Sequence, residues 1–158
     1  MNSIAIHVVS EDAAPIVAQI LLRAFEKLRP QYTDGGFAAT TPSAPQILVR
    51  LKEGPVWLAT YDNEPVGTTS AVVRGTRTYM RGMAVLPSAR GRGVGSALLQ
   101  KVQEYASGQG SDAIYLSTTP FLLDAIQLYE RFGFQKTVEG PHDLCGTPLF
   151  TMEKKLVR

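Results

Sequence analysis

The stretch from Tyr79 to Ala106, YMRGMAVLPSARGRGVGSALLQKVQEYA, constrains the fold more than any other part of the chain. Its first part is apolar, with Tyr79, Met83 and Val85 in a strand-like run that ends at Pro87. Its last part has helical period: Val94, Leu98, Val102 and Tyr105 recur at steps of four, four and three, and Leu99 and Ala106 widen the stripe. Between them lies Arg90-Gly91-Arg92-Gly93-Val94-Gly95. The order is strand, glycine-rich turn, helix. A helix that opens on such a turn collects unpaired backbone N–H groups, the positive end of its dipole and two guanidinium groups in one place, which suits an anion and phosphate above all.

Each residue type has a reason. Gly93 and Gly95 let backbone amides approach an anion with no Cβ in the way. Arg90 and Arg92 can offer paired donors to phosphate oxygens, which a lysine cannot. The alternative is a solvated glycine-rich loop, and the flanking strand and helix weigh against it. A P-loop requires Gly-Lys-Ser/Thr, yet no lysine occurs between Lys52 and Lys101. The dinucleotide fingerprint fits poorly as well. Ser96 occupies its third small position, and Asp112 precedes a strand instead of ending one.

The spacing that does fit is R-x-x-G-x-G, at Arg90, Gly93 and Gly95, and it resembles the acyl-CoA-binding motif of the GNAT superfamily of N-acyltransferases. A second segment, Ala125-Ile-Gln-Leu-Tyr-Glu-Arg-Phe-Gly-Phe134, is similar to that family's A-x-x-L-Y-E-x-x-G-F. The resemblance implies that the turn of Arg90, Gly91, Arg92, Gly93, Val94, Gly95 and Ser96 holds the pyrophosphate of coenzyme A. It implies that Met83, Ala84 and Val85 pair with the pantetheine, and that Tyr129 gives a proton to the departing thiolate. The alternative for Tyr129 is a core aromatic. Two departures are visible. No carboxylate lies between Tyr79 and Val85, where many relatives carry a glutamate base, and Leu122 stands where many have an asparagine that contacts pantetheine. Ser117 and Thr118 are the candidate substitutes for that contact. Glu26, Asp34, His142 and a water relay from Tyr79 or Thr118 remain open as the base. The resemblance calls for no metal.

At 158 residues the chain is expected to form a single domain over 1–158. With 16 basic and 14 acidic residues and no long run of either sign, general nucleic-acid binding is not expected. Cys145 is the only cysteine, so there is no intrachain disulfide and a reducing compartment is the natural reading. Cys145 has no recognisable His-Asp arrangement, and direct transfer needs no acyl-enzyme. The N-terminus carries no basic lead before an apolar region, and no membrane-spanning run occurs, so a cytoplasmic location is expected.

In chain order, Ile4, Ile6 and Val8 alternate as a strand with one buried face, and a helix is expected over about residues 11–28, capped by Ser10 and stopped by Pro30. Gln31 to Pro42 lacks period, contains Gly-Gly, and reads as a loop in which Tyr32 and Phe37 either line an acceptor pocket or serve as anchors. A short helix is expected over Ser43 to Glu53, then a hairpin of Val56–Tyr61 and Val66–Val73 about the turn 62–65, then a third antiparallel strand, Tyr79–Leu86. Beyond the phosphate-turn helix come a strand at Ala113–Ser117, a helix capped by Thr119 with Pro120 at its first position, and strands at 135–138 and 149–156. Trp57 and the methionines read as core.

The resemblance therefore implies an α/β (α+β) GNAT fold. Its mixed sheet would have about seven strands, an antiparallel meander followed by a β-α-β unit with splayed strands, and four helices. The function it implies is an acetyl-CoA-dependent N-acetyltransferase (EC 2.3.1 class) acting on a primary amine of a small molecule or peptide. A catalytically weak acyl-CoA-binding sensor is the alternative. Expected partners are acetyl-CoA and the amine acceptor, without nucleic acid or membrane; self-association as a homodimer is left open.

Overall fold

The computed structural model describes residues 3–157. The strands are β1 (Ile4–Val8), β2 (Val56–Tyr61), β3 (Glu64–Arg74), β4 (Arg77–Val85), β5 (Ala113–Thr118), β6 (Gln135–Lys136), β7 (His142–Leu144) and β8 (Thr147–Lys155). They form one eight-stranded sheet ordered β1-β2-β3-β4-β5-β8-β6, with β7 paired only to β8. Strands β1 to β4 pair antiparallel in order; two-residue turns join β2 to β3 and β3 to β4, whereas the chain between β1 and β2 carries the first three helices. Asp62 and Asn63, with φ of 51° and 69°, make the two-residue turn between β2 and β3.

Five α-helices cover the sheet: α1 (Ala14–Phe25), α2 (Asp34–Thr40), α3 (Ala44–Glu53), α4 (Val94–Gly108) and α5 (Leu123–Phe132). Alternation along β2 shows how the two faces are used. Val56 and Leu58 join a core with Val17, Leu21 and Ile47 of α1 and α3, while Trp57 and Ala59 join another with Leu98, Leu99 and Val102 of α4. The sheet is thus sandwiched between helices. Among the described residues no helix is long and apolar enough to cross a membrane.

The feature that positions the site is a split in this sheet. The parallel pairing of β4 and β5 covers only Arg77–Tyr79 against Ala113–Tyr115. From there β5 stays with β8 through Thr118, and β4 stays with β3. A bulge in β4 accompanies the divergence: Ser70 pairs with Arg81 and Thr68 with Ala84, so Gly82 and Met83 lie opposite the single residue Thr69. Gly82 takes φ of +66°, which a β-bulge needs and a side chain resists. Because of the extra residue, Met80 and Ala84 fall in cores on opposite faces despite their even spacing. The remainder of β4 has no strand on its β5 side.

Several expectations need correction. There are eight strands and five α-helices, against about seven and four. The additional helix, α2, lies in the stretch read as a loop. Thr33 caps it by accepting from the Gly36 amide, and Gly35 and Gly36 serve contact, not flexibility. A Cβ on Gly36 would lie 2.2 Å from Thr147 Oγ1, and one on Gly35 would lie 2.7 Å from Cys145 Cβ. The additional strand, β7, forms a hairpin with β8 inside the expected loop from Gly140 to Pro148. The first helix is shorter than expected, with 3-10 turns at Glu11–Ala13 and Glu26–Gln31 on either side of α1. Val8 is 60% exposed at the end of edge strand β1, and Val9 is buried in its place. Helix α5 begins at Leu123, so Thr119 does not cap it; Thr119 is buried beneath the turn that precedes the helix.

Candidate active site

The glycine-rich turn lies at the open side of β4. Gly91 and Gly93 have φ of 79° and 87°, values that favour glycine, and Gly93 is the residue on which α4 starts. No side chain caps this helix, which leaves the first-turn amides of Val94, Gly95 and Ser96 without an intrahelical acceptor. Gly95 allows a close approach of another kind. A Cβ there would meet Leu128 Cδ2 of α5 at 2.6 Å. The turn therefore combines uncapped helix donors with a tight helix-helix contact.

Beside it opens a cavity of about 730 Å³, between β4, the turn, the end of α1 and the face of α5. Of the residues expected at the cofactor, Met83, Ala84, Val85, Arg90, Gly91, Gly93, Val94, Gly95 and Ser96 line it. Arg92 and Thr118 do not. The Arg92 guanidinium sits over the Tyr61 ring, 4.9 Å from its centroid, and Thr118 is buried at the end of β5 and faces a second cavity. Arg90 Nε donates to Val85 O at 3.3 Å and its Nη2 to Ala24 O at 3.5 Å, tying β4 to the end of α1. The volume, the run of open amides and the adjacent guanidinium suit a long phosphorylated ligand.

The second cavity, about 250 Å³, occupies the split between β4 and β5. Tyr129 lines both cavities, as do Phe25, Met83 and Leu122. Its ring is buried, 6% exposed, in edge contact with Phe134 at 5.9 Å. Its hydroxyl makes no hydrogen bond among the described residues, and it is not among the sealed polar atoms that lack partners. Burial first, and the neighbouring Tyr32 second, push its pKa well above the ordinary phenol value. The phenol therefore keeps its proton at neutral pH.

Tyr79, Ser117, Thr118 and Tyr32 also face the smaller cavity. Phe37 does not; it is buried beneath Tyr32, 5.9 Å away in edge contact. Burial raises the Tyr32 pKa, partly offset by the Thr119 and Thr40 hydroxyls. Of the candidate bases, Glu26, Asp34 and His142 line neither cavity, and His142 Nε2 is hydrogen-bonded to Thr151 Oγ1 at 2.9 Å. Exposed Cys145 lines neither.

Sequence reasoning missed Arg50. It projects from the last turn of α3 into the smaller cavity, and burial, more than the neighbouring Arg81 charge, pulls its guanidinium below its usual pKa. No local pattern distinguishes it from Lys52 two residues on.

The sequence matches the Acetyltransferase (GNAT) family over residues 17–134, three quarters of the chain. The chain belongs to this family. Among curated GNAT relatives, the uncharacterized N-acetyltransferase YjgM of Escherichia coli is 32% identical over 65% of this chain. Human N-acetyltransferase 8B is 32% identical over 51%. The matched regions span 65% of the first relative's length and 38% of the second's. Among solved structures, the PaiA N-acetyltransferase of Thermoplasma acidophilum in complex with coenzyme A superposes with a TM-score of 0.81 at 16% identity, over 98% of this chain and 99% of that one. At that identity the likeness shows a shared fold. The split sheet is therefore a GNAT sheet.

Proposed function

We propose that this protein transfers an acetyl group from acetyl-CoA to a primary amine of a small molecule or peptide, by direct attack in a ternary complex. One observation carries the reading: Tyr129 lines both the large cavity beside the uncapped helix amides and the smaller one in the split sheet. The coenzyme A complex of the structurally similar PaiA enzyme supports the choice of ligand for the larger cavity.

In this reading the amides of Val94, Gly95 and Ser96 bind the pyrophosphate, and Arg90, held by Val85 and Ala24, turns its remaining donors toward it. The unpaired side of β4 from Met83 to Val85 supplies backbone partners for the pantetheine and orients the thioester. When bound, acetyl-CoA supplies the acetyl thioester, whose C–S bond breaks as the C–N bond to the amine forms. Tyr129 donates its hydroxyl proton to the leaving sulfur and recovers one from solvent. The proton lost by the amine passes to water, because no carboxylate or imidazole lines the smaller cavity.

That same lack of a carboxylate favours one second reading, a CoA-binding sensor with little turnover. Thiol release from acetyl-CoA, followed across a panel of amines, separates the two. Amine-dependent release is the expected result, and tight acetyl-CoA binding with no release above the buffer rate would establish the sensor.

A further inference from the structure

The smaller cavity has a distinctive charge. Its lining residues include two arginines, Arg50 and Arg81, and no Asp, Glu or His. Arg81 is paired with Glu53 through Nη2, although its Nε is buried without a partner. Arg50 has no ion pair or hydrogen bond among the described residues. Its guanidinium packs against the bulge of β4, where a Cβ on Gly82 would lie 2.7 Å from Arg50 Nη1. The nearest opposite charge, Glu53, is engaged by Arg81 and only partly offsets the cost of drawing Arg50 out of water, and a bound anion removes more of it. A planar fork of donors suits a carboxylate in particular.

We infer that the smaller cavity selects an acceptor bearing a carboxylate as well as an amine, with Arg50 binding the carboxylate. Arg50 lines only the smaller cavity, whereas Tyr129 lines both. The carboxylate thus lies away from the junction and the amine faces it. A volume of about 250 Å³ accommodates roughly eight waters at about 30 Å³ each, which matches a free amino acid better than a folded peptide segment. Ser117, Thr118 and Tyr32 offer hydroxyls for the rest of such a molecule.

This inference rests on the acetyl-transfer reading, and its test separates the two. The probes are the twenty amino acids and their carboxamides, which keep the amine and shape but lose the charge. Binding is measured by calorimetry with and without coenzyme A, on wild type, R50Q and R50K, with melting temperatures to verify folding. The best acid should bind about 10–150-fold more tightly than its amide, the range for a hydrogen bond to a charged group. R50Q should collapse that ratio toward one, and R50K should restore part of it. Equal binding of acids and amides, no binding of either, or a ratio that survives in folded R50Q would each overturn the assignment. Thiol release with the same panel reads the chemistry separately. Release that prefers amides would refute the carboxylate site and leave acetyl transfer standing; carboxylate-dependent binding without release would do the reverse.

Discussion

Replacing Tyr129 by Phe removes one oxygen and nothing else, so its consequences for stability and chemistry can be worked out apart. The ring is buried against Phe134, and Phe preserves that contact and the helix around it. The hydroxyl has no hydrogen bond to lose among the described residues. Stability at neutral pH should therefore change by no more than about 1 kcal/mol. If the hydroxyl protonates the leaving thiolate, turnover should instead fall by about 10²–10⁴-fold, about 2.7–5.5 kcal/mol of barrier. Acetyl-CoA affinity should stay within a few fold. The raised pKa adds a signature with a definite sign. Burial holds the proton on the folded phenol, so its contribution is intact below the unfolded value near pH 10 and is lost as pH rises above it. Wild type should thus lose stability above about pH 10 in a way that Tyr129→Phe does not, and no alkaline limb due to Tyr129 should appear below that pH. The assay is single-turnover thiol release with a slow acceptor, where chemistry limits the rate. Nearly full turnover of the variant under those conditions would refute the acid role and leave Tyr129 as packing.

Two further substitutions probe the frame around the site. Arg90→Ala should weaken acetyl-CoA binding by about 10–150-fold in calorimetry, through loss of a charge-assisted contact and of the ties to Val85 and Ala24. Gly36→Ala places a methyl group 2.2 Å from Thr147 Oγ1 and 3.0 Å from Leu144 O; it should cost about 1–3 kcal/mol by denaturant titration and raise the acceptor KM more than that for acetyl-CoA, since α2 underlies Tyr32.

How much of this was legible in the sequence depended on distance along the chain. The turn at Arg90–Gly95 and the segment around Tyr129 could be read because each is a local pattern whose residues act within one or two turns of helix. Gly35 and Gly36 were misread for the opposite reason: glycine signals flexibility locally, but here it makes room for Thr147 and Cys145 more than a hundred residues away. The same holds for Arg50. Its significance comes from Gly82, Arg81 and the split between β4 and β5, none of which helical periodicity in α3 encodes. Thr119 shows the remaining weakness, since a Thr-Pro pair ahead of a helix reads as a cap even where the helix starts four residues later.

The missing base has a kinetic consequence. A cavity lined by Arg50 and by no acid disfavours a protonated amine, so the acceptor must lose its proton to water before attack. At pH 7 about a tenth of a peptide α-amine of pKa about 8 is neutral, against about one part in 2,500 of a lysine-type amine of pKa about 10.4, and a free amino acid, whose own carboxylate raises its α-amine, falls between the two. With no protein group to close that gap, a peptide α-amine holds an advantage of about 250-fold over a lysine-type amine before any contact is counted, and a free amino acid a smaller one. The acid limb of kcat/KM should then move with the acceptor, following each amine's own pKa across a series with similar side chains. An acid limb fixed at one pH for every amine would instead report a base on the protein. Glu26 or His142 would then have to reach the junction by a movement that this arrangement of α1 and β7 does not show.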